Sequence, residues 1–406
     1  MLLVVLVAIF VASLDMVVLH VARGQLSKLN NDEQHLELAG VHVSLLAQSL
    51  SLYGLDVQRG KAGEIGYTDM QVARVRANHV NVLRALREKH LELHDVHLSG
   101  MDVDVIAPHA EGQIQFCAKG LEADLRTIAY QDTVSVDSIS LTIDSLALHL
   151  TKWHAPEHPY GMPQEGLAKL PMPLSIGRLA VDVAQFDFAL TTKEVKNASI
   201  SATTLHALSR HINSGPGARI TLNTEAHLPR GGHMWMGFTM VQNKACDVLF
   251  DVRVVKAEGA DLNNMLRPLV GITMDCTIDT LTTQLKGNRN GIDGEFMMRY
   301  HDLAVEVHKG ESPYQIVNKN AGAINSFANS LLPKSNPSPL TPDNVRRYRV
   351  HADRDPMKPF PMMPIMAMVD GMKDTLLPGL FVHKKIITQP KAPKALPSHH
   401  SPGSAQ

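Results

Sequence analysis

Two groups of residues in this chain have the types and spacing that zinc chemistry uses. His154-Ala-Pro-Glu157-His158 reads H-x-x-E-H, the order of an inverted zinc-protease motif, in which both histidines bind metal from one helical face and the glutamate acts as base. Pro156 lies inside that motif and Pro159 follows it, and proline removes a helical N–H and clashes with the preceding turn. The segment is better read as an exposed loop. His90, Glu92 and His94 form the second group. On a strand they share one face, but they lack an identifiable fourth ligand, and a solvated polar face accounts for them. Cys117, Cys246 and Cys276 are odd in number and include no C-x-x-C pair. They read as small core residues and not as a disulfide framework or zinc site. P-loop, dinucleotide and G-x-S-x-G patterns are missing. The expectation is therefore a binding protein that is not an enzyme, with no metal site and no cofactor.

Charge and composition narrow the partners. The net charge is −1 and aromatic residues make up 5 % of the chain, which argues against nucleic acid. Arg346-Arg347-Tyr348-Arg349 suits lipid phosphates, or else forms a solvated strand face. Histidines number 21, enough to make surface charge respond to pH near the imidazole pKa.

The elements that must position these residues are strands. In His90–Val105, Leu91 and Leu93 alternate with Glu92 and His94, and Val96 and Leu98 flank His97. Period-two alternation marks a half-buried strand. The two-residue gap at His94–Asp95 shifts the phase, which requires either a bulge or a corner. The same phrase occurs as H-L-E-L-A-G-V-H-V at His35–Val43. Its spacing returns at Leu50, Leu52, Leu55, Val57; at Val134, Val136, Ile139, Leu141; at Leu174, Ile176, Leu179, Val181; and at Met298, Tyr300, Leu303, Val305. Intervals between copies are irregular, so this is a repeated strand unit and not a strict solenoid.

Around these units, Met1–Ala22 is an apolar run broken by Asp15 and His20. It suits a membrane anchor of about 20 residues; a cleaved signal ending near Ala22-Arg23-Gly24 is the second reading, and a core helix the third. Thr151–Leu170 reads as a loop. Ser214–Gly217 and Pro229–Gly232 read as turns between strands, and Ile272–Leu285 with Ile292–Val307 as a hairpin. Helices are expected at Asn81–Lys89, at Asp261–Leu269 with an Asp N-cap, at Lys319–Leu332, and at Ile365–Leu377, the last Met-rich and amphipathic. A basic strand is expected at Val345–Val350. The organisation is an anchor over 1–24, a sheet or groove domain over 25–332, a Pro/Ser linker over 333–344, a strand and helix over 345–388, and a disordered tail over 389–406.

The apolar N-terminus, L-R-A-L-R-E-K-H-L-E-L-H-D-V-H-L-S-G-M-D-V-D-V, P-L-S-I-G-R-L-A-V-D-V, G-I-T-M-D-C-T-I-D-T-L, G-E-F-M-M-R-Y-H-D-L-A-V-E-V and F-P-M-M-P-I-M-A-M-V-D-G-M-K-D-T-L-L-P-G together resemble the AsmA-like family of the Gram-negative envelope, related to TamB and YhdP. The resemblance implies a single-pass inner-membrane protein with its body in the periplasm and phospholipid as partner. It carries no catalytic motif. The fold expected is mainly β: an elongated, twisted antiparallel sheet or groove with a few short helices and one N-terminal transmembrane helix. Leu36, Leu38, Leu91, Leu93, Val96, Leu98, Val134, Val136, Ile139 and Leu141 are the expected lipid-groove residues. The function expected is binding or transfer of lipid in outer-membrane biogenesis or maintenance. The alternative is an assembly factor that uses the sheet to bind envelope proteins, and a metalloenzyme ranks third.

Overall fold

The two-residue gaps between apolar positions set the shape of the molecule. In a computed structural model the described residues are 15–16, 18–44, 48–79, 91–109, 112–130, 133–152, 159–193, 195–308 and 332–376. They form one open sheet of 14 strands, ordered in space as in sequence. The strands are β1 Gln34–Ser44, β2 Ser49–Arg59, β3 Thr68–Asn78, β4 Leu91–His109, β5 Gly112–Tyr130, β6 Val134–Lys152, β7 Leu174–Thr191, β8 Ala198–Asn213, β9 Arg219–His227, β10 His233–Val241, β11 Val248–Glu258, β12 Ile272–Gly287, β13 Gly291–Val307 and β14 Arg347–Asp353. Neighbours are antiparallel except β6 and β7, which run parallel. The described helices are α1 (residues 18–27), α2 (Pro163–Ala168), α3 (Asn263–Val270), which follows a 3-10 turn at Gly259–Leu262, and α4 (Met362–Leu376).

The gap at His94–Asp95 is a bulge within one continuous strand and not a corner. Asp95 adopts a left-handed backbone, φ 49°, and the pairing of β3 with β4 slips between Ala77 and Asn78. One extra residue restores the phase, so Val96 returns to the face of Leu93. Most other gaps are matched on the neighbouring strand. The ladder omits Ala39 opposite Gly54, then Gly54 opposite Ala73, then Ala73 opposite Gly100. A second row omits Thr127 opposite Asp137, Asp137 opposite Gly177, and Gly177 opposite His211. Because both strands of a pair take the extra step at one level, the phase changes while the register holds. Glycine is required where the step is tight. Gly54 has φ 58° and Gly100 φ 61°, and a Cβ on either would stand 2.8 Å from the Cβ of Ala39 or Ala73.

The β1 edge is occupied by side chains from the preceding segment. Asn30 accepts from the Leu36 N–H at 2.7 Å and donates to the Leu36 carbonyl at 3.1 Å. Arg23 donates to the carbonyls of Leu38 and Ala39 at 2.8 and 2.7 Å. Asp15 accepts from the Val43 N–H at 2.7 Å. Unpaired edge groups invite strand addition, and these contacts block it. The polar residue that interrupts the apolar N-terminal run thus has a structural partner. Among the described residues no helix is long and apolar enough to cross a membrane; Met1–Leu14 lies outside them.

The densest packing is at the other end. Ile278, Ile292, Phe296 and Met298 are fully buried beneath α4 and neighbouring elements. Gly371 lets α4 sit directly on the Phe296 ring. Some expectations need correction. Asp261 is not an N-cap: it lies in the 3-10 turn, the residue before α3 is Leu262, and that helix has no side-chain cap. The Asp261 carboxyl is buried, which raises its pKa. The loop expected from Thr151 contains the end of β6 and the short α2, where Glu165 accepts from the Met162 N–H at 2.8 Å. The basic strand begins two residues late, because Asn336 takes up the Arg346 N–H. Cys246 and Cys276 are core residues, but Cys117 is only half-buried. The helices expected at Asn81–Lys89 and at Lys319–Leu332 lie outside the described residues, save Leu332.

The left-handed positions make a direct test. Gly54→Ala and Gly100→Ala should each cost about 1–2 kcal/mol in denaturant unfolding, since Cβ disfavours that conformation and meets an alanine. Asp95→Gly should be neutral or stabilising. Equal losses from all three substitutions would contradict the bulge assignment.

Candidate functional site: the half-buried aliphatic face of β1 to β8

The register brings the repeated apolar positions into rows across the sheet. Val41 pairs with Leu52, Leu52 with Val75, Val75 with Leu98, Leu98 with Ala123, Ala123 with Leu141, and Leu141 with Val181. A second row joins Leu36, Val57, Met70, Val103, Ala118, Leu146 and Phe186. Directly paired residues share a face, so these rows make one aliphatic surface spanning seven strands. The expected groove residues belong to it where their side chains are described. Leu38, Val96 and Val136 are buried; Leu36, Leu93, Leu98, Val134, Ile139 and Leu141 are half-buried. Leu91 stands opposite Tyr130 in the ladder.

Half-burial here contrasts with the other end of the sheet. Leu285, Phe296 and Tyr300 are at most 1 % exposed, because α3, α4 and the 3-10 turn pack there. Among the described residues, the helices that lie on the sheet do so chiefly against β8 and β11 to β14. Around Ala118, Ile143 and Val183, by contrast, Leu98, Met101, Val103, Phe116, Leu125, Leu141, Leu146, Val181, Phe186 and Leu205 are only partly buried. Apolar surface left in water carries a free-energy cost of about 25 cal/mol per Å², and large patches of it mark sites of interaction. The face offers almost no hydrogen-bonding groups, since its backbone is engaged in the ladder. What it can do chemically is accept other apolar chains.

The opposite face is polar, and it explains many of the histidines. His97 bonds Asp124 at 2.7 Å, His206 bonds Asp182 at 2.5 Å and His351 bonds Asp293 at 2.6 Å, each pair directly opposed across two strands. His301 lies 3.3 Å from Asp279, and His42 2.9 Å from Asp15. The partners are 22 to 58 residues apart in sequence, so only the fold reveals them. Among the described residues no group of three or more His, Cys, Asp or Glu is placed to hold a metal ion. His90 and the 154–158 motif lie outside them. Burial pushes the Cys276 thiol up to about 12, which keeps it protonated and unreactive.

His351 gives a pH prediction. Hydrogen bonds to Asp293 and then Asp353 raise its pKa above 6.5. A raised folded pKa means that folding favours the protonated ring, so the contribution is full below about pH 6 and disappears as pH rises through the folded value. The group is half exposed, so solvent screening keeps the effect small. NMR titration should place His351 above an unfolded reference, and Asp293→Asn should lower it. An unchanged midpoint in that variant would exclude the pair as the cause.

No family model, no curated protein and no solved structure matches this chain at a significant level.

Proposed function

We propose that the chain is a non-enzymatic, AsmA-like envelope protein that binds phospholipid acyl chains along the aliphatic face of β1 to β8 and helps to pass them toward the outer membrane. One observation carries this reading: Leu98, Val103, Leu125, Leu141, Leu146 and Val181 on this face stay only partly buried, while Leu285, Phe296 and Tyr300 at the other end of the same sheet are sealed. The chemistry of the face supports acyl chains over protein. Protein interfaces concentrate their energy in Trp, Tyr and Arg, whereas the two rows are Leu, Val, Met and Ala with a single Phe. Acyl chains need neither aromatic anchors nor hydrogen bonds. In this reading the apolar N-terminus anchors the protein in the inner membrane, with the sheet in the periplasm.

Ile139 and Ser140 are adjacent in β6 and point to opposite faces. A photo-crosslinking residue at Ile139 should capture phospholipid in cells, and one at Ser140 should not. Capture of a protein at Ile139 would make the sheet a protein-binding surface; capture of nothing at either site would remove the lipid reading.

Packing provides an independent check. Leu141→Phe should shift unfolding by less than about 1 kcal/mol, because an open face accommodates bulk. Leu285→Phe, in the sealed core, should cost about 1–3 kcal/mol. Equal penalties would mean that the β1 to β8 face is closed.

A further inference from the structure

On the polar face at the far end of the sheet, a cavity of about 380 Å³ is lined by Met297, Arg299, Pro342, Asp343, Val345 and Arg347. Met297 and Arg347 are directly paired across β13 and β14, and Arg299 lies two residues along, on the same face. Their neighbours Phe296, Met298 and Tyr348 are buried, so the arginines point away from α4. The run Arg346-Arg347-Tyr348-Arg349 is therefore divided. Arg346 is committed inward: its N–H donates to Asn336 Oδ1 at 3.0 Å and its guanidinium to the Tyr300 hydroxyl at 3.1 Å. Arg347 faces the cavity and Arg349 is exposed.

The wall of the cavity is fastened in place. Asn336 is fully buried at the root of the loop that carries Pro342 and Asp343. It exchanges backbone hydrogen bonds with Tyr300 at 3.0 Å and donates its side-chain amide to the Met298 carbonyl at 2.6 Å. Inside this frame the Arg347 Nε is buried without a hydrogen-bond partner. Among the described residues neither Arg299 nor Arg347 is within salt-bridge distance of a carboxylate. Arg299 is exposed, but Arg347 is half-buried; its buried, unpartnered Nε is unfavourable, and an anion that brings two acceptor oxygens relieves it.

We infer that this cavity binds a phosphodiester monoanion, held by Arg299 and Arg347. The charge balance selects the class. Two guanidiniums and the Asp343 carboxylate leave one net positive charge, which one phosphodiester neutralises, while the carboxylate disfavours a dianionic phosphomonoester. A phosphodiester reaches the site either as a soluble compound or as a lipid headgroup. The site stands on the face opposite the aliphatic rows and does not depend on the function proposed for them.

The test uses the full chain, with glycerophosphoglycerol as the soluble probe and phosphatidylglycerol vesicles as the lipid one. Calorimetry should show saturable binding of at least one probe. Arg299→Gln and Arg347→Gln should each weaken it about tenfold, the loss of one charge-assisted hydrogen bond. Asp343→Asn should tighten it severalfold, an effect that damage to the fold would not produce. Soluble-probe binding that follows this order assigns a free phosphodiester. Vesicle flotation that follows it, without soluble binding, assigns the headgroup. Binding of neither probe, or equal affinity in the wild type and all three variants, overturns the inference.

Discussion

A strand can place two apolar pairs on one face across a two-residue gap only if one residue leaves the ladder. The rest of this structure depends on that constraint. If each strand solved it alone, every bulge would slip the register against its neighbour and turn the next strand's apolar residues to the solvent face. Here the extra residues mostly stand side by side, as at Ala39, Gly54, Ala73 and Gly100, so the slip cancels within each pair. Aliphatic rows can then run unbroken from β1 to β7. The left-handed backbone at Gly54, Asp95 and Gly100 is the local cost of a long-range alignment.

Two ends of one sheet meet different fates because different elements follow them in sequence. After β11 the chain turns at Gly259–Leu262 and lays α3 beside β12, and after β14 it lays α4 back over β13 and β14. The aliphatic face there becomes a core, with Phe296 fitted against Gly371. The strands from β2 to β6 are linked in sequence without any described helix between them. The β1 edge carries its own solution to a separate problem, since Asp15, Arg23 and Asn30 engage backbone groups that another strand would otherwise pair with.

Much of this was legible in the sequence because alternation is a local signal. The spacing at His90–Leu98 announced both the strand and its break of phase, and the gap proved to be a bulge because Asp95 tolerates the left-handed region better than a β-branched residue does. The hairpin from Ile272 to Val307 was legible for the same reason, and so was the Met-rich helix. Pairwise features across the sheet were not. Nothing near His97 points to Asp124, and nothing near Arg347 points to Arg299; each pair exists only once the register is set. The Asp261 expectation failed because its neighbours form a 3-10 turn, in which the carboxyl is drawn into the interior and no longer caps the helix.

The one parallel junction shows how the two ends are joined. Antiparallel strands can be linked by a short turn, but a parallel pair requires the chain to travel back along the sheet. Between β6 and β7 that return path runs through α2, and its contacts are with the far half of the molecule. Gln164 donates to the Asp247 carbonyl at 3.1 Å, and Glu165 meets Arg289 at 2.6 Å, next to the β10–β11 and β12–β13 turns. The Tyr160 N–H donates to the Pro356 carbonyl at 2.7 Å, and Arg354 returns a bond to the Tyr160 carbonyl. These ties bridge 83 and 194 residues of sequence. The crossover thus braces the sheet between its half-buried aliphatic half and its sealed half.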